Sequence, residues 1–130
     1  MAGRNAELIR SLYDAFARND QAFIASVMHP EVEFHQAEQL PWGGHYKGYP
    51  EGVQPFFTKL RSCVDSHAEM ERCWEAGDAV VVVGRTRGKT RASGKSFDLP
   101  AVVIWRIRDG KIVSFEPFID TPAMLEALAA

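Results

Sequence analysis

The sequence predicts an α+β fold: a cone-like curved sheet, antiparallel or mixed, wrapped around three helices from the N-terminal half. Three observations predict it. The apolar period is mainly helical before residue 65, interrupted by one short strand, and becomes two from Ser66 onward. Turn signals at Gly77-Asp78, Ala92-Ser93-Gly94 and Asp109-Gly110 divide the later half into consecutive strands. No repeat, interior glycine cluster or linker divides the 130 residues, which fit a single domain spanning 1–130.

Each element has its own local reason. Residues 5–18 place Leu8, Ile9, Leu12, Tyr13 and Phe16 on one helical stripe. Asn19-Asp20 breaks it, and Asp20 is placed to cap a short second helix through Met28. His29-Pro30 ends that helix, because a residue preceding proline avoids helical geometry. Val32 to Gln36 reads as a short strand with Val32 and Phe34 on one face, and Glu33 and His35 on the other. A loop carrying Leu40-Pro41-Trp42-Gly43-Gly44 follows, and then a third helix from about Pro50 to Val64, burying Val53, Phe56, Phe57 and Leu60.

Four strands come next: 66–76, 79–89, 96–108 and 111–119. In the third, every odd position is apolar: Phe97, Leu99, Ala101, Val103, Trp105 and Ile107. Asp109-Gly110 is a hairpin signal, and Pro100 and Pro117 predict bulges or edges. Thr121-Pro122 begins a last short helix. A meander covered by helices on one face does not close completely, and the gap is the expected entry to a small-molecule pocket.

Composition excludes several functions. Hydrophobic residues are 46% and charged residues 25%, ordinary for a folded domain. With a net charge of −2 and interspersed signs, no nucleic-acid footprint and no polybasic membrane patch is present. The longest apolar run, Ala79 to Val83, is too short to span a bilayer. Arg4, Asn5, Glu7 and Arg10 interrupt any leader-like core, and Cys63 and Cys73 read as reduced thiols, so a cytoplasmic location is expected. His29, His35, His45 and His67 are scattered without a ligand motif, so neither a metal nor another cofactor is expected.

Three strings, LYDAFARND at 12–20, LPWGGHYKGYPEGVQPFF at 40–57 and VIWRIRDGKIVSFEPFIDTPAMLEAL at 103–128, resemble the nuclear transport factor 2-like superfamily and, within it, SnoaL-like domains. The resemblance spans nearly the whole chain and implies a cone-shaped roll, also called cystatin-like. It does not select one activity, since the superfamily includes isomerases, dehydratases, hydrolases, cyclases and non-enzymatic binders.

Enzymes of this fold need a proton-exchanging group in an apolar cone. Against ketosteroid isomerase, the tyrosine position falls on Leu12 with Tyr13 adjacent, the aspartate position on Val103, and the base on His35 or Gln36. Strand parity favours Gln36 inside and His35 outside, at a subunit interface. Against limonene epoxide hydrolase, Arg85 and Asp120 match, while Arg87 replaces the second aspartate. Against SnoaL-type cyclases, Asp120 occupies the place of the base that removes a proton beside a carbonyl.

Asp120 is therefore the first candidate for acid/base work, with an N-cap for the last helix as its structural alternative. Arg85 is placed to pair with Asp120, or else to face solvent on a polar strand end. Trp42 and Tyr46 are candidates for the pocket mouth, or for packing over the third helix. Leu99, Ala101, Val103 and Phe115 are core positions expected to line the cavity. The ligand these groups imply is a small, mostly apolar organic molecule. Val102, Ile104 and Phe118 make the outward sheet face apolar, which predicts a homodimer through it.

Overall fold

The computed structural model describes residues 3–129. Helices α1 (Arg4–Arg18) and α2 (Gln21–Val27) lead into strands β1 (Met28–Gln36) and β2 (Gly44–Lys47). Helix α3 (Gln54–Cys63), strands β3 (Val64–Ala76), β4 (Ala79–Thr90), β5 (Ser96–Arg108) and β6 (Lys111–Ile119), and helix α4 (Thr121–Leu128) follow. The six strands form one mixed sheet in the order β2-β1-β6-β5-β4-β3. Among the described residues only the β1–β6 pair is parallel. Because β2 and β3 end as edges, the sheet curves without closing, as the α+β reading anticipates.

Local chemistry sets most element ends. Asn19 terminates α1 in the left-handed region at φ 56°, a conformation asparagine tolerates. The Asp20 carboxylate then accepts from the Phe23 N–H at 3.1 Å and starts α2. In the β5–β6 hairpin, Asp109 and Gly110 both adopt positive φ, 52° and 75°, the backbone of a two-residue turn matched to strand twist.

The structure departs from the sequence reading at three places. β1 starts at Met28, not Val32, and its pairing with β6 is irregular between Met28 and Glu33, where Pro30 can donate no ladder bond. Residues 44–47, expected as loop, are strand β2, antiparallel to β1 with His35 opposite His45. Helix α3 begins at Gln54, not near Pro50. Gly52 packs so closely that a Cβ there would meet the Lys47 carbonyl, and Pro55 occupies the first turn.

The two strand prolines stand where the sequence reading expects a bulge or an edge. Pro100 sits in the regular β4–β5 ladder opposite Arg85, with no bulge. Pairing of β5 with β6 begins only at Ala101, so the other flank of Pro100 is free. Pro117 likewise lies beyond Phe115, the last residue of β6 in register with β1. Each proline is thus accommodated at a local edge.

The core sits between the concave sheet face and the helices. α1 packs on β3 and β4, α3 on β3, and α4 on β5. Ile9, Leu12, Val32, Val80, Val82 and Ile112 are fully enclosed there. No helix among the described residues is long and apolar enough to cross a membrane.

Candidate functional site

The gap between sheet and helices is a cavity of about 790 Å³. That volume lies within the roughly 300–1,000 Å³ usual for small-molecule sites. Its wall is mainly apolar and aromatic, including Phe34, Phe56, Phe115, Val103 and Met124. Polar and charged side chains also line it, among them Asn19, Arg61, Asp65, His67, Glu69 and Arg85, and four further polar groups, Tyr13, Gln36, Trp42 and Trp105, are buried in the wall itself.

Tyr13 of α1 and Trp105 of β5 meet across the cavity, where the Trp105 indole N–H donates to the Tyr13 hydroxyl at 3.3 Å. Their rings pack edge to face with centroids 6.0 Å apart. Burial pushes the Tyr13 phenol up to about 12; the Trp105 hydrogen bond opposes this and Cys73 adds to it. Gln36 ends β1 on the inward face, only 9% exposed, and Trp42 lies buried on the loop between β1 and β2. No hydrogen bond within the described residues engages the Gln36 amide or the Trp42 indole N–H. Among the described residues no fully enclosed side-chain polar atom lacks a partner, so these two groups keep some accessible surface; both line the cavity, and Gln36 lines the smaller hollow on its other side too.

The residues singled out from sequence divide between the two faces of the sheet. Gln36, Trp42, Ala101, Val103 and Phe115 line the cavity. Leu12 does not: it is wholly enclosed in the core, and its neighbour Tyr13 reaches the wall. A one-residue step along a helix turns a side chain by about 100°, and that rotation separates the two roles. Leu99 packs against the core outside the lining. Tyr46 donates its hydroxyl to the Trp42 and Gly43 carbonyls, at 3.1 and 2.9 Å, and so holds the loop that carries Trp42.

The three candidates for proton chemistry stand elsewhere. Asp120 is exposed, outside the cavity lining, and its Oδ1 accepts from the Ala123 N–H at 3.1 Å as the N-cap of α4. Such caps contribute about 1 kcal/mol. Arg85 pairs with Asp98, not with Asp120: its Nε donates to Asp98 Oδ1 at 2.5 Å. The hydrogen bond to Asp98 holds the Arg85 guanidinium above its ordinary value, and the same bond holds the Asp98 carboxyl below its own. Arg85 borders the cavity, yet Val82 and Gly84 take the inward positions of β4, so alternation turns Arg85 outward. There Arg87 bridges Asp98 at 3.4 Å and Glu69 at 3.5 Å.

His35 also faces outward, opposite His45, with the two rings stacked. Glu33 accompanies them, its carboxyl held below the usual range first by the hydrogen bond from His45. Histidines scattered along the sequence are here brought together by the β1–β2 register. A shallower hollow of about 310 Å³ beside them is lined by His35, Glu38, Glu116 and Phe118.

An open six-stranded cone, packed with helices and carrying one large apolar cavity, defines the nuclear transport factor 2-like fold. Solved structures agree. An NTF2-like protein from Burkholderia thailandensis E264 shares 32% identity over 95% of this chain and 96% of its own, with a TM-score of 0.86. TerC, co-crystallised with polyporic acid, shares 30% identity over 98% of this chain and all of its own, with a TM-score of 0.87. An NTF2-like protein from Burkholderia pseudomallei K96243 shares 26% identity over 99% and 100%, with a TM-score of 0.89. A comparison with curated protein sequences finds no match. The SnoaL-like domain model matches residues 9–115. The chain belongs to the SnoaL-like domain family.

Proposed function

We propose that the cavity binds a small, mostly apolar organic molecule through a carbonyl or hydroxyl oxygen held by Tyr13, Gln36 and Trp42. The observation that carries this reading is the pair of buried polar groups, Gln36 and Trp42, that have no hydrogen-bond partner among the described residues and stand beside the aromatic part of the wall. Their chemistry is complementary to an oxygen-bearing ring. The Gln36 amide both donates and accepts, and the Trp42 indole only donates. Tyr13 already accepts from Trp105, so its own proton is free for a ligand oxygen. The ligand named for TerC, at 30% identity, supports the same reading.

Binding stands ahead of turnover in this proposal, because Tyr13, Gln36 and Trp42, the three groups that would hold the ligand, are uncharged near neutral pH. An isomerase, cyclase, dehydratase or hydrolase reaction through Asp120, with Arg85 and His35 in support, would need Asp120 to leave its cap and reach the cavity. Titration of intrinsic tryptophan fluorescence with hydroxylated quinones, polyporic acid first, tests the reading. Saturable quenching at one site per chain is expected. Gln36→Leu should weaken it about tenfold, as loss of one or two hydrogen bonds implies, and Ala101→Phe, which fills the cavity, should abolish it. Quenching that never saturates, or that both variants leave unchanged, refutes it.

The second part of the proposal is a homodimer through the outer sheet face. Phe118 is 51% exposed and stands directly opposite the exposed Val102, with Val83 on the other side of Val102. Light scattering at micromolar concentration is expected to give twice the chain mass, and Phe118→Asp the mass of one chain. A wild-type monomer under those conditions overturns the dimer.

A further inference from the structure

The outer face of β1 and β2 carries a cluster that neither the core nor the cavity uses. Glu33 and His35 stand two apart on β1, so alternation presents both on the same face. The antiparallel register sets His45 of β2 opposite His35. The two imidazoles stack with centroids 4.3 Å apart and planes 13° from parallel. Glu33 Oε1 lies 2.8 Å from His45 Nε2 and 3.7 Å from His35 Nε2. One ligand atom from each residue falls within 4.8 Å of the other two.

We propose that Glu33, His35 and His45 bind a divalent transition-metal ion of the Zn²⁺ type, through two imidazole nitrogens and one carboxylate oxygen. Donors at about 2.0–2.1 Å from a tetrahedral zinc stand roughly 3.4 Å from each other. The two Glu33–histidine distances bracket that value, and at least one of the stacked imidazoles must swing out of the stack for both nitrogen lone pairs to meet at one ion, a movement that their partial exposure permits. The ion takes the place of the proton in the His45–Glu33 hydrogen bond; His45 then binds as a neutral imidazole with its one ring proton on Nδ1, and any second ring proton leaves to solvent. Lys47, opposite Glu33 in the register, pairs with Glu31 at 3.9 Å, and its charge also acts on Glu33, so the ion competes with it for that carboxylate. All three ligands are partly exposed, at 39–55% of their side-chain surface, which leaves room for water at the remaining coordination position. Two nitrogen donors favour Zn²⁺, Ni²⁺ or Cu²⁺ over Ca²⁺ and Mg²⁺, which prefer oxygen shells.

Calorimetric titration of tag-free, chelator-treated protein with ZnCl₂ tests the site. One Zn²⁺ per chain is expected. Glu33→Gln, His35→Ala and His45→Ala should each weaken binding about tenfold or more. His29→Ala, on the irregular start of β1, should bind as wild type, and Ca²⁺ should give no saturable heat. Circular dichroism confirms that each variant is folded, and Co²⁺ provides a second readout through visible bands that the His45→Ala variant should lose. Absence of saturable Zn²⁺ binding by the wild type overturns the proposal. So does a loss in His29→Ala as large as that in His45→Ala.

Discussion

Phe34→Ala is expected to lower the unfolding free energy by about 3–5 kcal/mol, the range for truncating a buried phenylalanine. Phe34 is 2% exposed, and its ring centroid lies 5.3 Å from Phe56, 5.7 Å from Phe57 and 4.8 Å from Phe115. It therefore joins β1, α3 and β6 in one aromatic cluster, and each such ring pair adds roughly 0.5–1.5 kcal/mol beyond buried area. The site cannot collapse around the missing ring, because Phe34 also borders the cavity and its loss enlarges an existing void. Domains of this size are stable by about 5–15 kcal/mol in total, so the variant should be marginal at 37 °C. Urea denaturation measures it: the midpoint should fall steeply with the slope preserved, and Phe34→Leu should lose much less. A loss under about 1 kcal/mol would show that the cluster does not hold these elements together.

The second large effect is alkaline destabilisation through Tyr13. Its phenol, raised mainly by burial to about 12 in the folded chain, returns to about 10 on unfolding. The folded state thus keeps a proton that the unfolded state gives up between these values. Stability from this group is fully present below pH 10 and is lost as pH rises through 12. The two-unit difference corresponds to about 2–3 kcal/mol across that window. Tyr13→Phe should cost about 1–3 kcal/mol at neutral pH, because the Trp105 N–H loses its acceptor. It should also remove this part of the alkaline loss. Urea unfolding of both proteins at pH 9 and pH 11.5 checks the point, since lysines and the other tyrosines titrate alike in both. Equal losses in the two proteins would refute the assignment.

How much was legible can be followed residue by residue. Odd-position apolar residues on β5 place Ala101, Val103 and Trp105 on the inner face, because a strand's side chains alternate whatever the strand pairs with. The same parity puts Gln36 inside and His35 outside. Helix α1 is harder. Leu12 and Tyr13 are both on the apolar stripe, and only the position of β5, which brings Trp105 to Tyr13, separates core from cavity wall. β2 carries too few residues to announce itself, since its hydrogen bonds come from a neighbour rather than from its own composition.

Taken alone, the sequence determined the α+β class, the three helices of the first half, the meander with its turns, and the alternating faces of its strands. These follow from local periodicity and turn chemistry, which act over a few residues. The tertiary structure alone decided the parallel β1–β6 pairing, the partner of Arg85, the meeting of Tyr13 with Trp105, and the grouping of Glu33, His35 and His45. Each of these brings together segments whose separation along the chain carries no periodic signal, so only packing and register could determine them.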